Sequence, residues 1–259
     1  MSQNLRTQNK AYGIFDVPFL VRLIEAHKNI KSALDIGTGD GSFALEIAQK
    51  LPAVNFLAVD VNANIISQAN SMATAQNIKN IAYAESFFDR NFPLKTYDLI
   101  FTKFTLQHTH DIQTFINEVH RRLNPGGLFA VIEEYWLDTM LEDKVWQGFR
   151  RFMLKTYKAF GSNPFVPRDL PSLLQKSGFA NIQSSLSMNS PSTIGIDPFV
   201  DLLRIMPGHV KVLAPDKYVW EDSFLNEMEV WIEKSIRTGK IDPPIPIAHV
   251  TAQKRSSSS

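Results

Sequence analysis

Apolar and polar positions along the chain follow two alternating periods, and their succession predicts a layered α/β protein. Residues 16–27 read as an amphipathic helix, with Val17, Leu20, Val21, Leu23 and Ile24 on one face. A short apolar run, Ala33, Leu34 and Ile36, ends on glycines. Helical spacing then returns in Phe43, Leu45, Ile47, Ala48 and Leu51. Pro52 breaks that helix, and Asn55–Asp60 reads as a buried parallel strand. Further strands are expected at 80–84, 97–101 and 128–133, with helices over 62–76 and 112–123 between them. Asn124, Pro125, Gly126 and Gly127 punctuate the last turn. Strands that alternate with helices in this way specify a doubly wound, mostly parallel sheet.

Beyond Glu133 the pattern changes. Residues 134–161 read as a long helical stretch rich in aromatics: Tyr135, Trp136, Trp146, Phe149, Phe152, Tyr157 and Phe160. A helix at 167–178 and a sixth strand at 179–187 follow. A second helical insert comes next (197–206 and 216–238), and Ile245–Lys254 closes as an alternating seventh strand. Residues 1–10 are polar and are expected to be mobile, as is the serine-rich tail. If strands five and six run parallel to strand one, both helical inserts leave the sheet at its carboxyl edge, where open α/β sheets bind ligands. The organisation expected is one domain over 1–259, with a core at 30–135 and inserts at 136–166 and 190–244 forming a lid over an apolar pocket. Aromatics that do not line the pocket pack between lid and sheet.

Composition narrows the partners. The 259 residues carry 27 Lys and Arg against 26 Asp and Glu, net +1, which supplies no overall attraction to nucleic acid or an anionic membrane. There is no cysteine, so disulfides and thiolate metal sites are excluded. No secretory signal or membrane-length apolar run is visible, and a cytoplasmic protein acting on a small molecule is expected. The oligomeric state stays open, a homodimer included.

The chemistry concentrates in Asp35, Gly37, Thr38, Gly39 and Gly41, between a strand and a helix. Such a junction brings backbone N–H groups and a helix N-terminus to a ligand at close range. The glycines read G-x-G-x-G, whereas a dinucleotide fingerprint needs G-x-G-x-x-G and a Walker loop needs Gly-Lys-Ser/Thr. Asp35 would repel a pyrophosphate and suits a ligand that carries positive charge. Asp60, 19 residues beyond Gly41, stands at the tip of the second strand, where a carboxylate can hold a ribose diol or cap the next helix.

The stretch resembles motif I of the class I S-adenosylmethionine-dependent methyltransferases, D/E-x-G-x-G-x-G. Two later stretches strengthen the resemblance: Asp98 to Asp111, similar to D-L-I-x…L-H-H-x-x-D but with Gln107 in place of the first histidine, and Leu123 to Phe129. The resemblance covers about 30–135 and implies a seven-stranded Rossmann-like fold with S-adenosylmethionine as cofactor and S-adenosylhomocysteine as product. It implies that Asp35 and the loop hold the methionine end, Asp60 the ribose, and Glu85 the adenine amino group. Ser86 would supply a backbone N–H, Val61 would be an apolar contact near the adenine, Phe87 would be a further cofactor contact, and Thr102 and Lys103 would lie near the methyl.

Candidate bases are His108, which can titrate near neutrality, and Glu133 or Glu134 at the fifth strand's end. Tyr12, Phe15, Tyr135, Trp136 and Phe149 are candidate substrate contacts. A metal site at His108, His110 and Asp111 lacks a further ligand, and none is expected. Thr102, Lys103, Phe104 and Thr105 do not match the Asn/Asp-Pro-Pro-Tyr/Phe stretch of nucleic-acid amino-methyltransferases. Lys103 is ill suited to a magnesium-dependent catechol type, and the paired-glutamate loop of protein arginine methyltransferases has no counterpart. Metal-independent O-methylation of an apolar or aromatic small molecule is the reading that remains, ahead of N- or C-methylation. A silent, methyltransferase-like scaffold and a nucleotide-cofactor oxidoreductase are the alternatives from other classes.

Overall fold

The computed structural model describes residues 2–135, 141–213 and 222–256. The strands are β1 Ser32–Ile36, β2 Asn55–Asp60, β3 Ile81–Glu85, β4 Tyr97–Lys103, β5 Leu123–Glu134, β6 Phe179–Asn189 and β7 Ile245–Lys254. The helices are α1 Ser2–Ala26, α2 Ser42–Lys50, α3 Ala63–Ala75, α4 Ile112–Arg121, α5 Lys144–Ala159, α6 Val166–Lys176, α7 Pro191–Ile194, α8 Ile196–Leu213 and α9 Asp222–Trp231.

The strands form one sheet in the order β3-β2-β1-β4-β5-β7-β6. β1 to β5 pair in parallel, and β7 lies antiparallel between β5 and β6. β6 therefore runs parallel to β1, and the helical segments after β5 and β6 both leave at the carboxyl edge, as the pattern implied. Chain order reverses between β1 and β4, which opens a crevice at that edge.

Strict alternation within the central strands sorts side chains to two cores. In β4, Leu99 and Phe101 face one cluster with α1, α2, α3, α5 and α8, while Ile100 faces the other with α4 and α6. β5 divides in the same way, with Ala130 and Ile132 on the first face and Phe129 and Val131 on the second. Side chains accept hydrogen bonds from the exposed amides of helix starts: Asn62 for α3, Asp111 for α4 and Asp143 for α5. α3 is capped by Asn62, which leaves Asp60 for other work.

Two expectations are corrected. Residues 2–10 are helical and belong to α1. The side chains of Arg6, Gln8 and Asn9 meet polar partners along the sheet edge, a pairing that no apolar periodicity reveals. The long helix expected over 134–161 starts later: Glu134 is the last residue of β5, and α5 begins at Lys144. Hydrogen bonding to β7, Glu134 opposite Ile247, extends the strand that far.

Candidate active site

The glycine loop follows β1 and faces the crevice. Gly37, Gly39 and Gly41 have φ of 76°, 57° and 74°. Packing reinforces two of these choices. A Cβ on Gly37 would lie 2.4 Å from Thr105 Oγ1, and one on Gly41 would lie 2.6 Å from the Tyr83 ring. Tyr83 also donates its hydroxyl to the Gly41 carbonyl at 2.7 Å, tying the loop to β3.

Asp35 is buried beneath this loop. Burial raises its pKa to about 7, with Asp60 adding to the rise and the Thr38 hydroxyl and Lys103 drawing it back. A carboxyl group in that condition is stabilised in its charged form by an incoming cation. Asp60 ends β2 beside the loop. Its Oδ2 accepts the Gly39 N–H at 3.0 Å and its Oδ1 the Asn62 N–H at 3.0 Å. The next strand tip brings Glu85 alongside, level with Asp60 in the register. Val61 and Phe87, neighbours of those carboxylates, are 61% and 68% exposed. Apolar side chains this open beside two carboxylates fit a flat base attached to a sugar. Ser86 departs from expectation. Its N–H donates to the Asp60 carbonyl at 2.9 Å, because strand pairing continues one residue past Glu85.

The β4 tip carries Thr102 and Lys103 to the crevice. Thr102 Oγ1 is buried without a hydrogen-bond partner among the described residues. Lys103 Nζ donates to Asn9 Oδ1 at 2.9 Å and lies 3.2 Å from Asp16. Phe104 follows at φ 54°, directing the chain into a short helical turn at Leu106–His108.

The two glutamates of β5 point to opposite faces. Glu133 does not stand free as a base. Its Oε1 accepts the backbone N–H groups of Thr105 (2.8 Å) and Leu106 (2.6 Å), so it caps the turn after β4. Burial raises its pKa to about 8 despite those donors. Glu134, on the face of α1 and α5, accepts from the hydroxyls of Tyr12 (3.2 Å) and Tyr157 (2.7 Å) and from Gln8 Nε2 (3.5 Å). Tyr12 packs edge-on against Phe104, and burial holds its phenol protonated.

His108 is turned toward the α5–α6 connection, its Nδ1 2.9 Å from Ser162 Oγ. The neutral ring is favoured there, since desolvation lowers its pKa. Phe15 is half-buried against the core, and the Tyr135 N–H donates to the Pro246 carbonyl. Phe149 is 1% exposed and stacked on Trp146, so it packs within the helical layer. Trp136 lies outside the described residues. Pattern reasoning missed Asn9, Asp16, Tyr157 and His249. Asp16 and His249 are polar within apolar stretches, Asn9 lies in a polar one and Tyr157 among the aromatics of 134–161, so only a partner far away in sequence distinguishes each.

A crevice at the switch point, a glycine loop with a buried carboxylate, and acidic strand tips beside open apolar side chains together define a nucleoside-cofactor site of the Rossmann-like class. Residues 27–160 match the family model described as "Methyltransferase domain", and the chain belongs to that family. Its cofactor is S-adenosylmethionine, and its fold is that of the class I methyltransferases.

A demethylmenaquinone methyltransferase of Roseiflexus castenholzii is 30% identical over 140 residues, covering 54% of this chain and 58% of that protein. The chain spans about half the length of the curated relatives it matches. Among solved structures, the [4+2]-cyclase SpnF superposes with a TM-score of 0.60 at 18% identity, over 92% of this chain and 82% of that one. A Haemonchus contortus phosphoethanolamine N-methyltransferase 2, solved with phosphomonomethylethanolamine and S-adenosylhomocysteine, superposes with a TM-score of 0.56 at 18% identity, over 87% of this chain and 49% of that one. These two likenesses are of fold.

Proposed function

We propose that this protein transfers the methyl group of S-adenosylmethionine to a small apolar or aromatic acceptor, at a hydroxyl oxygen, by in-line displacement without a metal. The observation that carries the cofactor half is the pairing of Asp60 and Glu85 at adjacent strand tips, with Val61 and Phe87 open beside them. The residues suit the cofactor: Asp35 for its ammonium, Asp60 for the ribose hydroxyls, Glu85 for the adenine amino group. The bound cofactor supplies an electrophilic methyl on a sulfonium, so the chain has to align the acceptor, exclude water and take a proton.

Glu134 is the proton acceptor in this reading. It is buried at the β5 tip among aromatic side chains, and two of the groups it binds are hydroxyls, the same contact an acceptor O–H would make. α5, α8 and α9 form the cover of the acceptor pocket, with Trp146 stacked on Trp231 between them. No helix of the described residues is long and apolar enough to cross a membrane.

The test is methyl transfer from labelled cofactor to a panel of phenols, aliphatic alcohols and amines, read by mass spectrometry. Phenol or alcohol products are expected, with Glu134→Gln lowering kcat about a hundredfold or more and leaving cofactor affinity unchanged. Transfer to amines alone would remove the oxygen assignment. Cofactor binding without transfer to any acceptor would favour the scaffold reading.

A further inference from the structure

Lys103 places a buried cation beside a crevice that must receive a cationic cofactor. The register pairs Ile36 with Thr102, which sets Lys103 level with Gly37 at the point where strand order reverses. Its Nζ donates to Asn9 Oδ1, and Asn9 Nδ2 donates to Asp40 (3.2 Å) and Ser42 (2.9 Å) of the glycine loop. One side chain therefore separates the ammonium from the loop. Its charge is felt by Asp35 as well. The ammonium lies 4.5 Å and 4.9 Å from the ring centroids of Phe43 and Phe104, shielded from bulk water. Like charges in such a setting repel far more strongly than in solvent.

Asp16 answers that charge. It is fully buried on α1, with Oδ2 3.2 Å from Lys103 Nζ and Oδ1 2.9 Å from His249 Nε2. The His249 ring stacks on Phe19 at 4.5 Å, fixing the carboxylate from β7.

Resting on the cofactor reading above, we propose that Asp16 is a positioning residue that neutralises Lys103 and thereby lets the crevice bind the sulfonium cofactor in preference to its neutral thioether product. The charged and titratable groups around Lys103 are Asp16 of α1, Asp35 of β1, Asp40 of the glycine loop by way of Asn9, and His249 of β7 by way of Asp16. S-adenosylmethionine and S-adenosylhomocysteine share their ammonium and carboxylate. Effects of Asp35 and Asp40 on those groups therefore cancel in the ratio of the two affinities, while an unbalanced Lys103 does not.

The experiment is calorimetric titration of both compounds into the wild type, Asp16→Asn, Lys103→Met and the double variant, at pH 6.5. Asparagine keeps an oxygen toward His249, so the anchor of α1 survives. Asp16→Asn is expected to raise the ratio of the S-adenosylmethionine Kd to the S-adenosylhomocysteine Kd about tenfold at pH 6.5. Lys103→Met in the same background should restore it. Equal weakening of both compounds by Asp16→Asn would reduce Asp16 to a structural anchor and overturn the proposal. Equal weakening by Lys103→Met would assign Lys103 to the shared carboxylate and overturn it too. A wild type that binds neither compound would defeat the cofactor reading itself.

Discussion

Replacing Glu133 with glutamine separates the two things this carboxyl group does, bonding and titrating. Burial is the largest influence on Glu133 and lifts it from 4.5 to about 8, while the Leu106 and Thr105 N–H groups oppose the rise and Glu134 adds to it. The folded state therefore holds the proton more tightly than the unfolded chain does. The resulting stabilisation is complete below pH 4.5 and is lost as pH rises through 8. Each unit well between those values removes about 1.4 kcal/mol and the slope tapers at both ends, so roughly 3–4 kcal/mol disappears between pH 5 and pH 8.

Glutamine keeps an oxygen for the two backbone donors and cannot ionise. It also sets two N–H donors where protonated Glu133 has a single O–H, at the oxygen that is buried with no hydrogen-bond partner among the described residues. The additional unmet donor costs about 1–2 kcal/mol at acid pH. The two proteins should therefore cross: Glu133→Gln less stable at pH 5, more stable at pH 8. Urea denaturation at unit steps of pH, with the slope m unchanged, reads this directly. Asp35 titrates in both proteins and cancels in the difference. Parallel stability curves from pH 5 to pH 8 would refute the reasoning.

Three other outcomes follow from the site. Asp60→Ala should weaken S-adenosylmethionine and S-adenosylhomocysteine alike, by about a hundredfold or 2.7 kcal/mol, since the ribose contact is common to both and the Gly39 N–H loses its acceptor; calorimetry that shows less than a threefold change would break the assignment. Asp35, raised to about 7, must shed its proton before it can pair with the cofactor's ammonium, so binding should release a proton at pH 6 and weaken about tenfold per unit below pH 7; titrations in two buffers of different ionisation heat measure the release, and no release would contradict the contact. Gly37→Ala meets a left-handed backbone and Thr105 Oγ1 at 2.4 Å together, and should cost about 3 kcal/mol of stability; Thr105→Ala added to it should recover part of that loss in the same denaturation assay.

Much of the core could be read in the sequence because its strands are short apolar runs bounded by glycine and proline, and because parallel strands need both faces apolar. Asn55–Asp60 and Ile245–Lys254 coincide with the observed strands to the residue. The order of the sheet could be inferred only as a class, since an apolar run carries no information about which neighbour it will pair with. Boundaries failed where hydrogen bonding prolongs an element past its apolar stretch, as at Glu134 and at Glu85. α1 failed for the opposite reason. Its first turns carry almost no apolar periodicity, and Arg6, Gln8 and Asn9 take their partners from the glycine loop, β4 and β5.

The residues that bear local chemistry were therefore fixed in one dimension: the glycines that admit positive φ, Asp35 before them, Asp60 and Glu85 at strand tips. What each carboxylate does was settled only by folding. Glu133 and Glu134 are adjacent and chemically alike, yet strand alternation sends one beneath the turn after β4, where backbone donors consume it, and the other toward hydroxyls of α1 and α5. Asp16 and Lys103 are 87 residues apart, and no local pattern announces a charge pair that exists only because α1 crosses the edge of the sheet. Local sequence sets backbone preference and residue type; burial and partnership depend on elements that meet in space, and those decide what a charged side chain can do.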